Sequence, residues 1–112
     1  MSNHPVCLNL DEAIKRMGDR EIFLEISRYF ALRLPEALAE LKFALEAGDI
    51  AEATRYAHSM KSNCSTVGAE EMQEQCRALE KLCRQGEIDS ARKFYAELAP
   101  QLLALRDILL AL

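Results

Sequence analysis

A chain of 112 residues with 50% apolar content has room for one small domain around one buried core. That length excludes a nucleotide-dependent kinase or a dinucleotide-binding enzyme with a partner domain. A net charge of −4 leaves little attraction for nucleic-acid phosphates or an anionic membrane surface, so neither is expected as a partner.

Four glycines, three prolines, no tryptophan and 6% aromatics make a helix-forming composition with few breakers, which predicts an all-α fold. A short leading helix is expected from about Leu10, with Asn9 as N-cap and Glu12 as its reciprocal partner. After Gly18, Asp19 caps a stretch running to Ala47, in which Ile22, Phe23, Ile26, Phe30, Leu34, Leu38, Leu41 and Leu45 are spaced for one apolar face. Pro35 either kinks that helix or divides it into two collinear pieces. Asp49 and Glu52 then open a helix that runs to Val67, where Gly68 stops it. Residues 69 to about 85 form the next, with Met72, Cys76, Leu79 and Cys83 as its stripe and Leu82 widening it. The last begins near Ile88 and carries Ala91, Tyr95, Leu98, Leu102, Leu105, Leu109 and Leu112 at alternating spacings of three and four, with Pro100 as a candidate bend.

Four amphipathic helices joined by connections of a few residues must be antiparallel neighbours, because so short a loop cannot return the chain to the far end. The expected architecture is an antiparallel up-and-down four-helix bundle with the short additional N-terminal helix. One domain spans 1–112, with the bundle core at about 19–112.

Cys7, Cys64, Cys76 and Cys83 form no CxxC pair and lack zinc-ligand spacing, and the last three fall on helix stripes as small buried hydrophobes. His4 and Cys7 stand three apart without further ligands, so no metal site is expected. The beginning of the chain has no basic and apolar leader, and no stretch reaches the length of a membrane span. A cytoplasmic protein with reduced thiols is the expectation.

The helix over 49–67 carries the chemically informative pattern. Its apolar stripe is Ile50, Ala53, Ala57, Met60, Cys64 and Val67, and at about 100° per residue His58 lies roughly 130° from the middle of that stripe. The imidazole should therefore point outward. Thr54, Lys61, Ser62 and Ser65 share its face, and their mostly small side chains leave the ring open to a docking surface. A neutral imidazole is a good nucleophile near pH 7. Should it take a phosphoryl group, Lys61 one turn away can approach the oxygens.

The run Ala57-His58-Ser59-Met60-Lys61-Ser62, followed by Val67-Gly68-Ala69 and then Leu79-Glu80, resembles the histidine phosphotransfer (HPt) family. The resemblance covers the chain from about Asp19 to the last helix. It implies a phosphorelay carrier in which His58 accepts a phosphoryl group from the aspartate of one receiver domain and passes it to another. Lys61 is implied to assist the phosphate, and Gly68 to form the structural turn. Family members usually have glycine four residues after the histidine, where this chain has Ser62. Serine adds a hydroxymethyl group beside the ring and bears on partner choice and transfer rate.

The resemblance also implies that the receiver, from a response regulator or hybrid kinase, brings the Mg²⁺ and its own acidic cluster. By the same resemblance, this chain is expected to need no cofactor of its own and to have no autokinase activity. The sequence offers no GxxxxGK[ST] loop and no GxGxxG. Glu70 and Glu71 belong to a helix's first turn, where carboxylates meet the helix dipole favourably. Arg77, Lys81 and Arg84 recur on one face of the next helix, which reads mainly as a solvated face, with Arg77 and Lys81 kept as candidate partner contacts beside Thr54, Ser62 and Ser65. The rival reading is a helical-bundle adaptor that binds a receiver or kinase without accepting phosphate.

Overall fold

The computed structural model describes residues 8–112, so His4 and Cys7 lie outside the described part. Five helices follow in order: α1 (Leu10–Met17), α2 (Arg20–Ala47), α3 (Ile50–Thr66), α4 (Glu70–Arg84) and α5 (Ile88–Leu110). Helices α2 to α5 pack in a ring, each against its two neighbours, with α3 and α4 in the most extensive contact and α1 against α2. This is the expected all-α bundle with an additional N-terminal helix.

Local chemistry sets the helix starts. Asp19 Oδ1 accepts the backbone N–H groups of Glu21 and Ile22 at 2.8 and 3.2 Å, which satisfies two donors the first turn of α2 leaves free. Asp49 Oδ1 does the same for Glu52 N at 3.1 Å at the start of α3, and Asn9 Oδ1 for Glu12 N at 3.4 Å at the start of α1. The Glu52 side chain pairs with Arg55 at 2.6 Å.

Each glycine sits just past a helix at positive φ. At Gly68, φ is +80°, and a Cβ there would stand 2.7 Å from the Asn9 carbonyl oxygen and 3.0 Å from Ala13 Cβ. The close approach lets Asn9 N donate to Gly68 O at 2.9 Å, while Arg16 donates to Ser65 O at 3.1 Å. These contacts seat α1 over the α3–α4 corner.

Pro35 neither ends nor divides α2, which continues as one 28-residue helix with the proline on its exposed side. Pro100 likewise lies within α5. The α2 stripe is buried as expected at Phe23, Phe30, Leu34, Leu38, Leu41 and Leu45, but Ile22 and Ile26 are exposed. Ser27 takes the buried position next to Ile26, because the placement of α3 and α5 around α2 decides which of two adjacent residues faces the core. Ile50 and Leu112, also expected on apolar stripes, are exposed as well. Ile50 is the first residue of α3, beside the Gly86 turn, and Leu112 lies beyond the end of α5. Among the described residues no helix is long and apolar enough to cross a membrane.

Candidate functional site

His58 sits two turns into α3 on the flank that faces α4, with a side chain 57% exposed. The outward direction expected for the ring is observed. Its Nδ1 lies 2.9 Å from Oε2 of Glu80, a residue of α4 whose side chain is only 3% exposed. The same carboxylate receives Lys61 Nζ on Oε1 at 2.8 Å and an Arg84 guanidinium nitrogen on Oε2 at 2.7 Å. One buried carboxylate thus gathers an imidazole and a lysine from α3 and an arginine from its own helix.

Burial by itself would push the Glu80 carboxyl up, because a charge loses its hydration there. Hydrogen bonds from Lys61, Arg84 and His58, together with the positive charge of Lys61, outweigh that and hold its pKa at about 2. The carboxylate is ionised throughout the physiological range and acts as an acceptor only. A neutral His58 ring must therefore carry its proton on Nδ1 to meet Glu80, which leaves the Nε2 lone pair unprotonated and pointing away from the carboxylate.

Sequence reasoning gave Glu80 no role. It adjoins the buried stripe of α4 at Leu79, and a glutamate at the edge of such a stripe ordinarily reads as solvated. The available signals were the spacing of four to Arg84 and the Leu79-Glu80 pair in the family-like pattern. Only the packing of α4 on α3 turns that edge inward toward His58 and Lys61.

Lys61 lies one turn along α3 from His58. Its side chain is 18% exposed and engaged with Glu80. Thr54 is half-buried, and its hydroxyl is sealed without a hydrogen-bond partner, so it offers no polar group to the surface around His58. Ser62 is exposed one turn beyond His58, and its carbonyl accepts the Thr66 hydroxyl at 3.0 Å. Ser65 is half-buried beneath α1, its carbonyl held by Arg16. Arg77 is exposed and pairs with Glu74 at 3.2 Å, and Lys81 is exposed on the same helix. The structure brings His58 and Lys61 together through Glu80, keeps Ser62 beside them, and sets Gly68 at the far end of α3.

Residues 25–111 match the Hpt domain family, most of the chain and all of the residues that build this cluster. The chain belongs to the Hpt domain family. A curated relative, the phosphorelay intermediate protein rdeA of Dictyostelium discoideum, is 30% identical over 81 residues, which is 72% of this chain and 32% of the relative. The Hpt chain therefore spans about a third of the length of the curated relative it matches. No solved structure matches it significantly.

Cys64, Cys76 and Cys83 are free thiols in the core, as their stripe positions predict. Contact with Cys76 and burial push the Cys64 thiol well above its ordinary value, and burial followed by the charge of Glu80 raises Cys83, which works against the thiolate form redox chemistry needs. Among the described residues no group of three or more His, Cys, Asp or Glu side chains is placed to hold a metal ion.

Proposed function

We propose that this Hpt domain is a phosphorelay intermediate that carries a phosphoryl group on His58 between receiver-domain aspartates. The observation that supports it most is an exposed imidazole whose Nδ1 is tied to a buried, ionised carboxylate, leaving Nε2 as a free nucleophile beside open solvent. The Nε2 lone pair forms a bond to phosphorus while the acyl-phosphate oxygen–phosphorus bond breaks, its electron pair returning to the receiver's aspartate. The proton stays on Nδ1, held by Glu80, so no general base is needed for the forward step. The return step reverses these bonds.

The receiver supplies Mg²⁺ and the acidic pocket, and this chain supplies the nucleophile and its fixed orientation. The described residues, 8–112, act as one domain in this reading. Docking combines packing with charge: Ser62 flanks the ring, and a groove between α2 and α3 is lined by Ile26, Tyr29, Ser59 and Asn63 together with Arg33, Glu40 and Arg55.

The test is incubation with candidate phosphorylated receivers, followed by an acid-lability assay of the transferred label. Acid-labile label on the wild type, and none on His58→Gln, is expected. A His58→Gln variant that keeps its full activity in the relay would mark the protein as an adaptor and overturn the reading.

A further inference from the structure

The cluster around Glu80 is unbalanced in charge. One carboxylate faces two permanent cations, Lys61 and Arg84, so with a neutral imidazole the four side chains carry one excess positive charge. A phosphoryl group moving onto Nε2 with the proton retained on Nδ1 adds one negative charge. The excess is matched to the incoming group.

The two cations are not equivalent. Lys61 is largely covered and has Oε1 to itself. Arg84 is 65% exposed at its side chain and shares Oε2 with His58 Nδ1. When the ring is phosphorylated with its proton in place, it becomes cationic and its hydrogen bond to Oε2 strengthens, since the contact then joins two ionised groups of opposite sign. The exposed guanidinium is then the cation left to balance the phosphoryl oxygens. Sequence spacing alone groups Arg84 with Arg77 and Lys81, yet of the three it is Arg84 that reaches Glu80.

Resting on the phosphocarrier reading, we propose that Arg84 is a positioning residue that sets the equilibrium of phosphoryl transfer, acting through Glu80 to supply the excess positive charge that favours the group on His58. Its loss shifts the group toward the receiver aspartate without altering which atom accepts it.

The experiment uses the full chain and a receiver domain charged with acetyl phosphate and freed of excess donor, and measures the equilibrium constant for transfer onto His58. An equilibrium between the separate proteins does not depend on how tightly they dock, so a docking role would leave it unmoved. Arg84→Ala is expected to lower the constant about two- to five-fold, the range for an exposed charge interaction. Arg84→Lys restores it, and the gap narrows at high salt. Arg77→Ala, which removes the same charge from the same helix away from Glu80, leaves the constant unchanged. A wild-type constant in Arg84→Ala, an equal shift in Arg77→Ala, or no restoration by Arg84→Lys would each overturn the inference. A wild type that takes no label from any receiver overturns the carrier reading instead. Circular dichroism of each variant confirms that the helices remain.

Discussion

His58 and Glu80 stand 22 positions apart on different helices, and a 2.9 Å contact between Nδ1 and Oε2 joins them. Because the carboxylate is held ionised, it selects one tautomer of the neutral ring. Nitrogen chemical shifts of His58 at about pH 8 are expected to show the proton on Nδ1 in the wild type. Glu80→Ala should move the population toward the Nε2–H form, and a ring already in that form in the wild type would contradict the arrangement.

The same contact makes stability depend on pH. Glu80 has an ordinary value of 4.5 and is held at about 2 in the folded chain. A carboxyl lowered by folding stabilises the native state fully above 4.5, and the contribution fades as pH falls from 4.5 toward 2. The gap between those values corresponds to a ceiling of about 3 kcal/mol. Glu80→Gln is expected to cost about 2 kcal/mol at neutral pH, since Lys61 loses its ion partner while some hydrogen bonding remains. Urea unfolding of the two proteins should differ most at neutral pH and converge near pH 2.

Gly68 is required twice, once by its positive φ and once by the Asn9 carbonyl that fills the space of a Cβ. Gly68→Ala should cost about 2 kcal/mol or more and speed amide exchange in α1. At Gly48 the φ of +70° comes with open space, and the same substitution there should cost only about 1 kcal/mol. Thermal unfolding compares the two directly.

Ser27 is buried in α2 with a hydroxyl that has no partner. An unsatisfied buried polar group is a net cost, and alanine is the better helix former. Ser27→Ala is expected to raise stability by up to about 1 kcal/mol in urea unfolding.

In a Cys7→Ser background, Cys64, Cys76 and Cys83 should resist thiol labelling until the protein unfolds, since all three are buried. Rapid labelling of the folded protein would reopen a redox role.

Much of the molecule is written locally. The caps at Asn9, Asp19 and Asp49, the glycines past each helix and the three-four recurrence of apolar residues need only neighbours within a turn or two, so the sequence by itself determined five helices, their order and their bundling. The outward face of His58 follows in the same way, because direction around a helix is fixed by position in the repeat. Which of two adjacent residues enters the core is not fixed so closely: Ser27 displaced Ile26 because α3 and α5 set the rotation of α2. The electrostatic site was decided only by tertiary structure. Glu80, Lys61 and Arg84 are each ordinary charged residues at the edges of helix stripes. With His58 they become one buried carboxylate with three donors only when α4 packs on α3, since a charge's energy depends on what surrounds it in space rather than along the chain.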